Sequence, residues 1–292
     1  MKSYLQKIKT KLQLETPLKA VHLLDGAYEA VVKGQSMDFD ELRAYSPGDR
    51  RKDIDWKSSA RSNNLLVKQY VAQKRMPVEF IIDTGLNMVG LAPSGEQKHE
   101  IAVEVAGVLA YVALNHNDTI GFTYGDATTV ETTTQTSSPK HAEGFLAEIA
   151  TGNILTKKVS DVTVQLEKSV ESAKSRRIII VISGAVTPSA ELSDIIQRAK
   201  IKHDLLWVIV EDINPFEPAT NVVDVETKTK LPLYLKKNKK LKESFLAAEL
   251  EREKKVKTLF QKEQVPFINI SSTATVLDSI IKLLLSRKHG NR

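Results

Sequence analysis

The chain of 292 residues contains no cysteine. It therefore has no disulfide bond, no thiol nucleophile and no cysteine-ligated zinc or iron–sulfur centre. The six histidines are scattered, and none has a nucleophile or orienting carboxylate at the spacing of a known catalytic pattern. Gly-x-Ser-x-Gly, Walker-type, His-Glu-x-x-His and Gly-x-Gly-x-x-Gly motifs are also absent. These absences predict that the protein is not an enzyme.

Long hydrophobic runs are missing as well. The longest, at 178–182 and 205–210, are far shorter than the ~20 residues that cross a bilayer. The first ten residues interrupt their apolar side chains with lysines, unlike the apolar core of a secretory signal. With 41% hydrophobic and 27% charged residues, the composition is that of a globular protein. We expect a soluble, cytoplasmic protein.

Acidic residues are absent from one basic stretch. The formal net charge is +6, yet seven lysines lie between positions 228 and 242 without an acid among them. The rest of the chain is therefore close to neutral. This argues against a positive electrostatic field over the whole protein that would attract nucleic acid. The stretch itself, with the basic residues at 50–52, leaves a weak nucleic-acid binder open as an alternative function. Its lysines are Lys228, Lys230, Lys236, Lys237, Lys239, Lys240 and Lys242.

From Pro77 onward, short apolar runs alternate with segments of helical periodicity. Such alternation predicts an α/β fold: a mainly parallel central sheet with helices on both faces. Ligands of such sheets bind at the carboxyl ends of the strands, where the topology switches. Residues 1–76 lack this rhythm, so we expect an N-terminal appendage at 1–76 and a domain at 77–292. The predicted strands are 78–83, 119–124, 128–136, 177–182, 204–210 and 265–270, and the main helices are 96–115, 140–150, 162–173, 189–200, 241–261 and 274–285.

The appendage contains a segment dense in charge and turn residues. Its acids, Asp49, Asp53 and Asp55, alternate with arginines and lysines around Trp56. One interpretation is a partly buried ion-pair lattice that folds this segment, since exposed pairs contribute little. The other makes the three aspartates ligands of Mg²⁺ or Ca²⁺, although the neighbouring cations would repel a metal ion.

The same segment resembles the signature of the bacterial family called domain of unknown function 58. In that family the signature precedes a von Willebrand factor A-like domain, and the pattern from Pro77 onward is similar to one. The resemblance thus covers nearly the whole chain. One departure is Lys52, where the family commonly has arginine, whose planar fork can hold a carboxylate bidentately. The matching residues are Phe39, Glu41, Leu42, Arg43, Tyr45, Pro47, Gly48, Asp49, Ile54, Asp55, Trp56, Lys57, Ala60 and Arg61.

The resemblance also implies a metal-ion-dependent adhesion site. A-type domains typically hold Mg²⁺ with an Asp-x-Ser-x-Ser loop, a distant threonine and a later aspartate. Here Gly85 and Asn87 replace the serines after Asp83, and Gly184 stands at the place of the later aspartate. Asp83, Asn87 and a threonine from 132–136 remain, which predicts a degenerate site with no certain cofactor and at most weak Mg²⁺ binding. Alternatively, Asp83 caps a helix or accepts hydrogen bonds from backbone donors.

Members of the family are often encoded beside MoxR-type AAA+ ATPases. The resemblance therefore implies a non-enzymatic interaction module, an adaptor for such an ATPase in a chaperone-like assembly. We place its partner surface at the carboxyl edge of the sheet, near Asp83, Asn87 and Gly184. Besides the nucleic-acid binder, a metal-dependent hydrolase built on Asp83 or on the aspartates of the signature is the remaining alternative.

Overall fold

A computed structural model of the protein describes residues 3–33, 41–47, 49, 54–62, 64–69, 75–156, 158–218 and 221–290. The strands are β1 (Glu41–Ala44), β2 (Leu66–Gln69), β3 (Pro77–Asp83), β4 (Thr119–Gly125), β5 (Val130–Thr132), β6 (Ile178–Ser183), β7 (Asp204–Val210), β8 (Val222–Val223), β9 (Lys230–Leu231) and β10 (Phe267–Ile270). The helices are α1 (Tyr4–Thr10), α2 (Leu18–Lys33), α3 (Trp56–Ser62), α4 (Lys98–Asn115), α5 (Pro139–Ala150), α6 (Val162–Ser172), α7 (Ala190–Lys202), α8 (Leu233–Lys236), α9 (Lys239–Lys262) and α10 (Val276–Gly290).

A six-stranded sheet with the order β10-β7-β6-β3-β4-β5 forms the centre of the protein. Its neighbouring strands pair in parallel, except that β5 pairs antiparallel with β4. After β3 the chain forms β4, which pairs with one side of β3, and it later forms β6, which pairs with the other side of β3. The carboxyl ends of β3 and β6 therefore form the topological switch point of the sheet. The predicted α/β architecture is confirmed.

The sheet is covered on both faces, which explains why its strands are nearly continuous apolar runs. Side chains alternate along β3, so that Val78, Phe80 and Ile82 join one core cluster and Ile81 joins the other. Burying each such side chain contributes about 1.5–3 kcal/mol. Helices α1, α2, α4, α5 and α10 supply the first cluster, and α6, α7 and α9 supply the second.

The first two helices pack onto the main core. Leu5 of α1 and Leu24 of α2 are buried in the same cluster as the sheet. Glu143 of α5 accepts a hydrogen bond from the Leu5 backbone N–H at 2.8 Å, and the Tyr28 hydroxyl donates to Asp118 at 2.7 Å. Residues 3–33 thus share a core with the sheet, while the proposed division of the chain at residue 76 stays a prediction.

Candidate functional site

Asp83 ends β3 at the switch point, and its side chain is buried. Its Oδ1 accepts a hydrogen bond from the Gly85 N–H at 2.9 Å, and Gln165 Nε2 lies 3.5 Å away. Burial raises the pKa of the Asp83 carboxyl, although hydrogen bonds from Gly85, Ser160 and Gln165 and the charge of Lys98 oppose that shift. The carboxylate thus accepts from a backbone donor of its own loop, as the alternative interpretation of Asp83 expected.

A buried lysine ammonium lies beside this loop. Lys98 is the first residue of α4, and its side chain is fully buried. Its Nζ donates to Asn87 Oδ1 and to Asp212 Oδ1, both at 2.6 Å. Asp212 follows the end of β7, and 43% of its side chain is exposed. One cation therefore connects the loop after β3 with the segment after β7.

Gly184, just after β6, borders the same ammonium. A Cβ atom at this position would lie 2.5 Å from Asn87 Oδ1 and 2.6 Å from Lys98 Nζ, closer than such atoms can approach. Asn87 is held in place from the other side, because its Nδ2 donates to the Ala185 carbonyl at 3.3 Å. The space that a side chain at position 184 would enter is therefore occupied by Asn87 and Lys98.

Ser160 supplies a hydroxyl to the first loop, where its Oγ accepts a hydrogen bond from the Asn87 N–H at 3.2 Å. The expectation of a threonine from 132–136 was wrong, because these residues run toward the amino end of β4. Ser160 lies against Gly85, where an added Cβ would come within 2.5 Å of its Oγ. Because β5 runs antiparallel to β4, the residues after β5 move away from the carboxyl edge. Thr133 Oγ1, for example, accepts a hydrogen bond from the Phe122 backbone N–H at 2.9 Å.

These donors do not fit a divalent metal ion. No group of three or more histidine, aspartate or glutamate side chains that could hold a metal occurs among the described residues. Asp83 accepts from its loop, and the Asn87 oxygen accepts from the Lys98 ammonium, whose charge would repel a second cation. Hard cations need clustered oxygen ligands, and the two oxygens that converge at this edge, from Asn87 and Asp212, already accept hydrogen bonds from the Lys98 ammonium.

Sequence reasoning missed both Lys98 and Asp212. A lysine at the start of a helix is usually solvated, and the two residues are 114 positions apart. One signal was available: α4 is apolar over most of its surface, which predicts that most of the helix is buried. A lysine on the buried side of such a helix needs hydrogen-bonding partners of its own.

The signature segment lies elsewhere, on the β1–β2 hairpin and α3. Asp49 Oδ2 accepts from the Ser46 N–H at 2.9 Å, and Asp55 Oδ1 accepts from the N–H groups of Lys57 and Ser58 at 3.1 and 3.0 Å. These carboxylates thus close a turn and begin a helix. Trp56 is 65% exposed and is not the buried centre of an ion-pair lattice.

The other signature residues are only partly described. The backbones of Glu41 and Arg43 belong to β1, Tyr45 and Pro47 follow it, and Arg61 is exposed near the end of α3. Phe39, Gly48, Asp53 and the basic residues at 50–52 lie outside the described residues.

The basic stretch between 228 and 242 covers the β8–β9 hairpin, α8 and the start of α9. Lys228 Nζ donates to the Val225 carbonyl at 2.6 Å, and Lys236 Nζ donates to the Pro218 carbonyl at 2.8 Å. Asn238 then caps α9 by accepting from the Leu241 N–H. Two of the seven lysines therefore stabilise loops, and a role of the stretch in binding nucleic acid stays a prediction.

The carboxyl edge presents apolar side chains above the buried site. Val89 and Leu91, between β3 and α4, are 39% and 44% exposed, and Val159, before α6, is 54% exposed. Asp83 and Gly184 are buried beneath these loops. A molecule that binds at this edge would contact the exposed residues, while Asp83 and Gly184 support them.

Comparisons with known proteins give a family and a set of structural relatives. The family model described as "Protein of unknown function DUF58" matches residues 41–255. An uncharacterized protein of Mycobacterium bovis is 19% identical over 282 residues, covering 96% of this chain and 88% of that protein. Uncharacterized proteins of two Mycobacterium tuberculosis strains match to the same extent.

Two solved structures each match 72% of this chain. An aerotolerance-related membrane protein from Bacteroides fragilis has a TM-score of 0.48 and 13% identity, covering 72% of this chain and 99% of that chain. A von Willebrand factor type A structure from Catenulispora acidiphila has a TM-score of 0.42 and 12% identity, covering 72% of this chain and 42% of that chain. In this chain, no helix within the described ranges is long and apolar enough to span a membrane.

Proposed function

The chain belongs to the DUF58 family of proteins of unknown function, and we propose that it acts as a protein-interaction module and not as an enzyme. The observation that carries this proposal is the exposure of Val89, Leu91 and Val159 at the carboxyl edge of the sheet. Single exposed apolar residues are common, but these three lie on loops at the switch point, where ligands of such sheets bind.

The loops that present these side chains are held by backbone hydrogen bonds. The Leu86 N–H donates to the Lys158 carbonyl, and the Ile213 N–H donates to the Leu91 carbonyl, each at 2.9 Å. A partner that meets a preformed surface loses less conformational entropy on binding than one that must order it. This supports a partner surface centred over Asp83, Asn87 and Gly184 and contacted through Leu91 and its neighbours.

For the partner, we propose a MoxR-type AAA+ ATPase, with this chain as its adaptor in a cytoplasmic chaperone-like assembly. The family resemblance of the signature between Phe39 and Arg61 is the support for this identification. The surface over the carboxyl edge and the identity of the partner are separate parts of the proposal, and each can fail alone.

The test measures binding of the purified chain to a purified MoxR-type ATPase from the same organism, with ATP and Mg²⁺ present. Leu91→Glu places a charge in the surface and is expected to weaken binding at least about tenfold, equivalent to about 1.4 kcal/mol. Ile201→Glu is the matched control, because Ile201 is also exposed but precedes β7, at the opposite edge. Circular dichroism checks that both variants fold.

Each result has a defined meaning. Absence of binding by the unaltered chain would reject the ATPase as partner. Equal weakening by both variants, or by neither, would reject the carboxyl edge as the surface. Retention of nucleic acid that is lost steeply with added salt would favour the lysine stretch at 228–242 instead.

A further inference from the structure

We propose that the Lys98 ammonium is a built-in cation that takes the place of a divalent metal ion at the carboxyl edge of the sheet. The positive charge at this edge thus comes from a side chain of the protein, and no metal ion is needed to hold the loops after β3 and β7 in place. This inference concerns the isolated chain and does not depend on the identity of any partner.

The position of the ammonium supports this inference first. Lys98 Nζ lies 2.6 Å from an amide oxygen of Asn87 and 2.6 Å from a carboxylate oxygen of Asp212. Hard metal ions such as Ca²⁺ bind the same kinds of oxygen at 2.3–2.6 Å. The nitrogen therefore lies where a cation held by these two oxygens would lie, and both oxygens already accept hydrogen bonds from it.

The burial of the Lys98 side chain is the second observation that supports this inference. The Lys98 side chain is fully buried, and a buried charge is stable only when it is paired and hydrogen-bonded. Its carboxylate partner Asp212 is partly exposed, so the pair keeps one side in contact with solvent. The lysine is consequently an integral part of the edge and not a surface side chain that happens to fold over it.

The lack of a side chain at Gly184 is the third observation that supports this inference. Because a Cβ there would lie 2.6 Å from Lys98 Nζ, no aspartate can occupy position 184 while the ammonium stays in place. The carboxylate comes instead from Asp212, after the neighbouring strand β7. The missing acid after β6 and the buried lysine are therefore two parts of one arrangement, in which a single charge needs fewer carboxylates than a divalent ion.

The experiment measures Mn²⁺ binding to the full chain by calorimetry and electron paramagnetic resonance. We expect no binding at the edge of the unaltered chain, and unchanged melting in EDTA or excess Mg²⁺. Lys98→Ala frees the position between Asn87 and Asp212 and should bind Mn²⁺ with a Kd at least about tenfold below the weakest Kd that the assay detects. Adding Asp212→Asn should remove that gain. Lys11→Ala, which breaks the more exposed Lys11–Glu104 pair, is the matched control.

Two results would overturn the inference: Mn²⁺ binding by the unaltered chain that Asp83→Asn abolishes, or no gain of binding in Lys98→Ala. Should Lys98→Ala not fold, Asp212→Ala gives a second test, because it leaves the ammonium with Asn87 alone. Its melting temperature should fall and should not recover with Mg²⁺. An unchanged melting temperature, or recovery with Mg²⁺, would contradict the role of Lys98.

Discussion

Strand β3 carries two buried carboxyl groups on the same face, Glu79 toward its amino end and Asp83 at its carboxyl end. Glu79 accepts hydrogen bonds from Thr123 Oγ1 at 2.8 Å, from Gln135 Nε2 at 2.6 Å and from Arg177 Nη1 at 2.9 Å. Asp83 accepts from its own loop and has a lysine only as a more distant charge. Glu79 therefore links β3 to its neighbouring strands, whereas Asp83 stabilises the loop that follows β3.

Burial raises the pKa of both carboxyls, and hydrogen bonds together with a nearby cation oppose the shift at each. The difference lies in the partners. Thr123 lies within β4 and Arg177 directly precedes β6, so two of the three partners of Glu79 come from the strands on either side of β3. The Asp83 site depends on loop residues that also present the exposed edge. A buried carboxyl group thus stabilises the sheet near the amino end of β3, and another stabilises the exposed loops at its carboxyl end.

The largest effect is expected from breaking the closed cluster. Arg177→Leu leaves Glu79 buried without its cation, and loss of one partner of a buried pair typically lowers the free energy of unfolding by about 3–5 kcal/mol. Urea denaturation measures the change. Replacing both partners, Glu79→Leu with Arg177→Leu, should cost less than the single change, because no buried charge is then unpaired. A double variant no more stable than the single one would show that the ion pair is not what the sheet depends on.

An intermediate effect is expected at the loop end from Gly184→Ala. The added methyl group collides with Asn87 and Lys98, and such overpacking typically costs about 1–3 kcal/mol. Gly144→Ala is the control, since Gly144 lies within α5 and an added Cβ has no atom within 4 Å. It should stabilise the protein by about 0.4–1 kcal/mol. Thermal melting of the two variants compares them directly, and equal shifts would mean that the edge is not closely packed.

The smallest effect is expected near Arg177 and depends on pH. Burial, with the charges of Arg177 and Lys202, lowers the pKa of His203 to about 4, against the opposing charge of Asp204. Neither ring nitrogen has a hydrogen-bond partner in the described part of the chain. Between pH 6.5 and 4 the unfolded chain therefore binds more protons at this residue than the native protein, and stability falls as the pH falls.

His203→Leu should remove this part of the acid sensitivity. Denaturation curves at pH 7 and pH 5.5 should show the variant gaining stability relative to the unaltered chain at the lower pH. His22→Leu, on the exposed surface of α2, controls for the loss of an ordinary histidine. If the His203 variant and the unaltered chain lost stability in parallel, the buried ring would have no part in the pH dependence.

Much of the fold could be predicted, because its signals are local. The apolar run of β6 marked a covered strand, and Ser189 marked the start of α7, where its hydroxyl accepts from the Leu192 N–H at 3.0 Å. Strand β5 is shorter than the predicted 128–136, since β-branched residues continue beyond its end without continuing the strand. Thr133 in that region uses its side chain to bond the neighbouring strand.

The site was less predictable, because it depends on contacts between distant segments. Asp83 and Gly184 could be placed at strand ends from the strand pattern alone. Ser160, before α6, and Asp212, after β7, reach this edge only because their separate connections pack against the loop after β3. Nothing in their local sequence, or in that of Lys98, indicates a shared location. The charge of a lysine predicts exposure, whereas its position on an apolar helix requires burial.

The two outermost strands of the main sheet are also its shortest. Strand β5 has three residues and β10 has four, while the four strands between them have six or seven. Short outer strands offer few free backbone groups to a foreign strand, which protects a sheet against edge-to-edge aggregation. They equally discourage a partner from extending the sheet by β-augmentation. Recognition of this protein should therefore use side chains on its loops and helices, and the sheet should remain the same size in any complex.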